Sequence, residues 1–375
     1  APEAANILFL AIGAVAFLML RQSDVKVVRR PAVWMTLTGL TLLALAYCGS
    51  SGAAGIVGLM FVVPLLTVPP LIAAALRTDL PPRLIAVLAL SGAAGAAAIA
   101  AAEFTSTGTS RVGEWVANPI HFADLALLVG FLAVLGTLFG RGPGRWLFLL
   151  APLFATVAVL LSGTRGALVA LVAMLGTAVV AGVLVRQISW RQLAVGAVLL
   201  LIGLFAAWIG GVGQTSAVQR AMVDIADIFR TGLPSDESTS LRLQMYEGGL
   251  NAFLASPLVG HGPFAFVEAA ASRASVRFEG APHLHNDLLD FAASGGVPGV
   301  VAYFLFLLAP VAEALKVKDP VTRKTLVLLS ATLAVGFFVM GLTNAMFGIL
   351  NLTVFYATAT LVIAALAQTV TTRRD

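Results

Sequence analysis

Eleven apolar segments, each close to the length that crosses a bilayer, follow one another along this chain, and a single long polar stretch, Gly211–Asn286, interrupts them. A hydrocarbon core of ~30 Å takes ~20 residues of helix. The segments lie near Ala5–Leu20, Ala32–Cys48, Ile56–Leu76, Leu84–Ala102, Pro119–Phe139, Trp146–Leu161, Gly166–Val185, Leu193–Ile209, Asp287–Leu315, Thr325–Thr343 and Met346–Gln368. They are continuous, without the period-two alternation of ~10-residue barrel strands, so they predict helices. With 59% hydrophobic and 11% charged residues, against roughly 25% charged in soluble domains, a soluble globular fold is excluded. The expected fold is all-α, a polytopic transmembrane helical bundle with one large external loop that contains short helices. Its expected parts are 1–210, eight transmembrane helices; 211–286, the loop domain; and 287–375, three more helices and the C-terminus.

The net charge of +5 does not indicate a nucleic-acid partner, because the basic residues sit in short connections. Sixteen of the 23 Lys and Arg residues fall in alternate loops, among them Arg21, Lys26, Arg29, Arg30, Arg77, Arg83, Arg141 and Arg145. The positive-inside rule makes that side cytoplasmic and puts Gly211–Asn286 outside. Eleven spans with a cytoplasmic C-terminus place Ala1 outside, which predicts either one more span before it or a cleaved signal sequence. The single cysteine, Cys48, allows no internal disulfide or cysteine metal cage. Small-residue runs such as Ser91-Gly-Ala-Ala-Gly-Ala96 read as close helix packing.

Candidate chemistry gathers on the external side. Arg165, in Ser162-Gly-Thr-Arg165, sits where two apolar helices meet almost without a loop. It reads as an interfacial anchor or as an anion clamp, since a guanidinium pairs bidentately with phosphate oxygens. Arg242 lies on a helix opened by Ser or Thr, with Leu241, Met245 and Phe253 at roughly helical spacing and Pro257 at its exit. That helix either lies on the membrane or roofs the bundle with Arg242 solvated, or it brings Arg242 to a site. His283 and His285 are two apart and in an extended segment would share one side. A metal pair lacks further ligands nearby; a general base suits an imidazole with a pKa of ~6.5; a hydrogen-bonded structural histidine is the plain alternative. Asn286 follows, and Ser294-Gly-Gly-Val-Pro-Gly299 interrupts the ninth segment as a broken helix lining a cavity would. Asn118 and Asp124 add polar groups near the outer end of the fifth span. No phosphate loop or paired Asp motif for a metal-bound nucleotide is present. A lipid diphosphate, with tails in the bilayer and its head at the arginines, fits better.

Four motifs in order, Asn118-Pro-Ile-His-Phe-Ala-Asp124, Ser162-Gly-Thr-Arg165, Ser240-Leu-Arg242 followed by Ser256-Pro-Leu-Val-Gly-His-Gly262, and His285-Asn286 with Gly295-Gly-Val-Pro-Gly299, resemble the O-antigen ligase and polymerase family from about Glu103 onward. The resemblance implies a GT-C-like glycosyltransferase fold in the bacterial inner membrane, with its active site facing the periplasm. It implies metal-independent, cofactor-free glycan transfer from undecaprenyl diphosphate, and in the ligase branch the acceptor is a sugar hydroxyl of lipid A–core. Arg165 and Arg242 would then hold the donor diphosphate and His285 would activate the acceptor, with His283, Asn286, Asn118 and Asp124 as further substrate-binding residues. A polymerase or a protein-glycosylating relative shares this logic. A transporter or lipid flippase gated at the broken ninth span is the alternative from another class; few mid-span charges and no visible inverted repeat speak against it.

Overall fold

The computed structural model describes residues 2–78, 80–109, 111–184, 223, 230 and 237–372. The eighth expected span, Leu193–Ile209, and most of 211–236 lie outside the described residues. In chain order the helices are α1 Pro2–Leu18, α2 Pro31–Ser51, α3 Val63–Leu66, α4 Val68–Ala75, α5 Pro82–Thr107, α6 Pro119–Leu132 and α7 Leu135–Phe139. There follow α8 Leu150–Ser162, α9 Arg165–Leu184, α10 Glu237–Ala255, α11 Phe266–Ala271, α12 Asp287–Leu315, α13 Pro320–Gly341 and α14 Leu350–Thr372. Eight stretches among the described residues are long and apolar enough to cross a membrane, and a bent pair, Glu3–Leu18 with Gln22–Arg29, would make a ninth. The protein is all-α and polytopic, as the apolar runs require. Proline opens α2, α5 and α6 at positions whose N–H has no helical acceptor to lose.

The second and third expected spans form one helical run, Pro31–Ala75. It is not straight. A Cβ on Gly58 would stand 3.0 Å from the Tyr47 ring, whereas eleven residues of straight helix would separate the two positions by ~16 Å. The chain therefore reverses near Gly52, and the two passes are joined by 3-10 turns over 52–62 with no polar loop.

Two compact units make up the chain, each discontinuous in sequence. The first combines Ala1–Asp79, Asp227–Lys316 and Met340–Gln368; the second combines Leu80–Ala226, Val317–Val339 and Thr369–Asp375.

In the first unit α2 runs antiparallel to α12. Tyr47 meets Ser294 at 3.3 Å, Gly39 lies under the Phe306 ring, and Arg30 pairs with Glu313 at 2.6 Å. Glu313 also accepts the Ala32 N–H at 3.1 Å, while Arg30 reaches Gln368 Oε1 and the Ala364 carbonyl. Arg30, read from sequence only as a topology signal, is thus a tie between three helices. A carboxylate this buried, 3% exposed, is tolerable because a guanidinium and a backbone N–H both satisfy it.

The ninth expected span needs correction. Asp287–Leu315 joins two helices across a kink at Gly296, whose φ 61 and ψ −152 lie outside helical values. The Phe291 and Phe306 ring centroids are 6.3 Å apart, where fifteen residues of straight helix would span ~22 Å. Residues 287–295 therefore fold back on 297–315, and only the latter stretch has the course of a span.

The expected opening at this break is also corrected. The carbonyls of Ala293 and Ser294 accept the N–H groups of His261 and Gly262 at 2.8 and 2.9 Å, and Val297 N–H donates to Pro257 at 2.7 Å. The freed backbone groups are paired with the loop 257–262 instead of lining a cavity, as burial demands. Glycine is required on both sides of this seam. Gly260 has φ 66 and Gly296 has φ 61, and a Cβ on Gly260 would stand 2.4 Å from the Ser294 carbonyl.

In the second unit α5, α6, α7, α8 and α9 pack with most of α13. Gly92 of the expected small-residue run does approach Val129 on α6, while Gly95 faces open space. The buried Glu103 carboxylate accepts Gly113 N–H at 2.9 Å and Glu114 N–H at 3.2 Å. Val112 N–H reaches the Leu161 carbonyl at 3.2 Å, so the connection before α6 is fixed against the end of α8.

Candidate functional site

The first unit holds Arg242, His283, His285 and Asn286 on elements that pack directly on one another. On α10 the buried face is Met245, Gly248, Gly249 and Ala252, a run at i, i+3, i+4 and i+7. Leu241 and Phe253, expected on this face, are exposed and half-buried. The difference comes from the glycines. A Cβ on Gly248 would meet the Ala270 carbonyl at 2.3 Å and one on Gly249 would meet Leu284 at 2.8 Å, so the bare backbone lets α11 and the histidine turn close in. Met245, Ala252, Ala270, Ala271, Phe278, Leu284 and Ala293 form a core of their own. The helix is therefore a packed element of the first unit and not a helix lying alone on a membrane surface. Arg242 is partly exposed, one turn before Tyr246.

The histidine turn is built around Leu284, which is fully buried and donates its N–H to Asp290 Oδ1 at 2.8 Å. His285 follows with φ 54, left-handed for a residue other than glycine. Such a conformation costs of order 1–3 kcal/mol and persists where its surroundings over-determine it. The surroundings do so here. His283 Nδ1 accepts the His285 N–H at 3.1 Å, and the two rings meet edge to face at 4.2 Å. The Tyr246 hydroxyl donates to the carbonyls of His285, at 3.2 Å, and Leu342, at 2.9 Å. Asn286 caps α12 by accepting the Leu289 N–H at 3.1 Å and donates to the same Leu342 carbonyl at 3.3 Å. Asp287 then anchors the segment after α13, its two oxygens accepting Met346 and Phe347 N–H at 2.9 and 3.0 Å.

The chemistry of the two histidines differs accordingly. An Nδ1 that accepts from the backbone leaves the hydrogen of neutral His283 on Nε2. Its role in this geometry is to shape the turn. Burial pushes the Tyr246 phenol up from its ordinary value; the Arg242 charge opposes this and the Asp290 charge adds to it. The phenol therefore remains a hydrogen-bond donor near neutral pH. Among the described residues no group of three His, Cys, Asp or Glu side chains is placed to hold a metal ion.

Asn118, Asp124 and Arg165 lie in the second unit. Asn118 caps α6, its side chain accepting the Ile120 N–H at 2.9 Å, and Asp124 is buried one turn further on, 1% exposed. Arg165 opens α9 after a corner in which Gly163 ends α8 with a left-handed cap. Ser162 Oγ donates to the Val159 carbonyl at 2.7 Å and accepts the Thr164 N–H at 3.2 Å. Thr164 Oγ1 reaches the Pro119 carbonyl at 3.4 Å. Thus the Asn118 and Arg165 motifs, 45 or more residues apart, are joined through this hydroxyl.

Sequence reasoning missed Tyr246, Asp287, Asp290, His261 and the segment 342–347. His261 stood inside a quoted motif, and its Nε2 lies 2.9 Å from the Ala252 carbonyl, which ties the loop 257–262 to α10. Aromatic Tyr246, one turn after Arg242, was the one readable signal. The segment 342–347 was hidden inside apolar sequence assigned to two spans.

These features define a polytopic all-α membrane protein in which α10 and the connection before α12 present an arginine, a histidine turn and a closed hydrogen-bond network. Residues 148–304 match the family model described as O-antigen ligase, a stretch that contains Arg165, Arg242, His283, His285 and Asn286. That match covers less than half of the chain and likens this stretch to O-antigen ligases, which supports a glycan-transferring membrane enzyme. No curated protein matches the chain.

Proposed function

We propose that this protein transfers an O-antigen glycan from undecaprenyl diphosphate to a sugar hydroxyl of lipid A–core, at the periplasmic face of the inner membrane. The observation that carries the reading is the bracing of His285: a strained turn is fixed from three directions, and the helix that carries Arg242 supplies one of them. In the reaction, the imidazole of His285 takes the proton of the acceptor hydroxyl. The acceptor oxygen bonds to the anomeric carbon as the carbon–oxygen bond to the diphosphate breaks, with inversion, and undecaprenyl diphosphate leaves. Arg242 and Arg165 stabilise the negative charge that grows on that leaving group, a task fixed guanidinium groups perform without a metal ion. Asn286 and Asn118, which cap α12 and α6, and His283 and Asp124 are the further substrate-binding residues of this reading.

The test is a reconstituted assay with purified protein, lipid-linked glycan donor and three separate acceptors. Transfer to lipid A–core, in excess chelator and with inverted linkage, is the expected result. Extension of the donor glycan alone would make the protein a polymerase, and transfer to a peptide a protein-glycosylating enzyme. Movement of donor across a vesicle bilayer without transfer would make it a carrier.

A further inference from the structure

We infer that Tyr246 is a positioning residue for His285, coupling the helix that carries Arg242 to the turn that carries the base; the inference rests on the function proposed above. Its hydroxyl is shared between two carbonyls, His285 at 3.2 Å and Leu342 at 2.9 Å. Leu342 is also the acceptor for Asn286 Nδ2 at 3.3 Å, so a closed ring runs from α10 through the segment after α13 to the N-cap of α12 and back to His285. His285 sits in this ring with φ 54, a conformation its surroundings must hold in place. Arg242 lies on α10 one helical turn before Tyr246, on the same side of the helix. A shift of α10 as donor binds at Arg242 is therefore passed to the base by a single side chain. The ring of Tyr246 packs against the loop-domain core, so removing only the hydroxyl leaves that packing in place.

The experiment compares Tyr246→Phe with the unaltered full chain in detergent, measuring donor binding, single-turnover transfer to lipid A–core and the thermal midpoint. Positioning predicts a single-turnover rate lower by about tenfold, the scale of one net buried hydrogen bond, with donor affinity within about twofold and the midpoint lowered by no more than a few degrees. An unaltered rate overturns the inference, and so does a parallel loss of rate and donor affinity, which would make Tyr246 a support of the fold or of the Arg242 clamp. His285→Ala, run alongside, separates the two levels of argument. If it keeps full turnover, the function proposed for His285 fails; if it is inactive while Tyr246→Phe is normal, only the role of Tyr246 fails.

Discussion

The Ser162–Arg165 corner is closed mainly by its own neighbours, whereas the His283–Asn286 turn depends on residues far away in the chain. At the corner, Ser162 bonds to residues two and three positions away. At the histidine turn, Tyr246 is 39 positions from His285 and 96 from Leu342, and Asp287 holds backbone 59 and 60 positions on. A locally closed turn forms as its two helices form. A turn closed at long range takes its shape only once the loop domain has packed, so its geometry is exposed to mutations far from it.

The largest expected effects test whether the corner, and the helix tied to the histidine turn through Tyr246, deliver chemistry. Arg242→Ala and Arg165→Ala should each reduce transfer by about 100-fold or more, the usual loss when one charge-stabilising donor is removed, while leaving the protein folded. Lysine at either position should recover little, because it lacks the planar fork. Near-normal turnover in both alanine variants would remove the clamp from the account.

Stability effects sharpen the contrast between long-range and local closure. Gly260→Ala puts a Cβ 2.4 Å from the Ser294 carbonyl at φ 66 and should cost about 3 kcal/mol or more, since neither the strain nor the backbone clash has a cheap relief. Thermal unfolding in detergent would register this as a large drop or as loss of soluble protein. At the corner, Ser162→Ala removes bonds to residues two and three positions away and should cost only about 1 kcal/mol. Equal costs at the two sites would contradict the distinction. Smallest of all is the effect expected of excess chelator on transfer, which is none; loss restored by a divalent ion would return His283 and His285 to metal binding.

What the sequence made legible follows the same division. The apolar runs determine α5, α6, α8 and α9 because span length and continuity are local properties, and the capping role of Asn118 could be read from its place before Pro119. Motifs in order singled out Arg242 and His285 as candidates, without showing the packing that sets them on neighbouring elements. The reversal at Gly52 was legible too, as it falls between the second and third expected spans; the fold-back at Gly296 was not, since it lies inside continuous apolar sequence where hydropathy carries no sign of direction. Nor could spacing show that Ser256–Gly262 and Ser294–Val297 pair with each other, although both stretches were visible as glycine-rich motifs. Backbone pairing between them leaves no side-chain pattern to read.

The central claim is that His285 acts on the incoming hydroxyl and not on the bound donor. Donor binding and single-turnover transfer measured on the same preparation of His285→Ala test it most directly. The account predicts donor affinity close to that of the unaltered protein and transfer lower by about 100-fold or more, the range general-base catalysis supplies. Equal loss of binding and transfer, or a His283→Ala protein that is the inactive one while His285→Ala turns over, would contradict it.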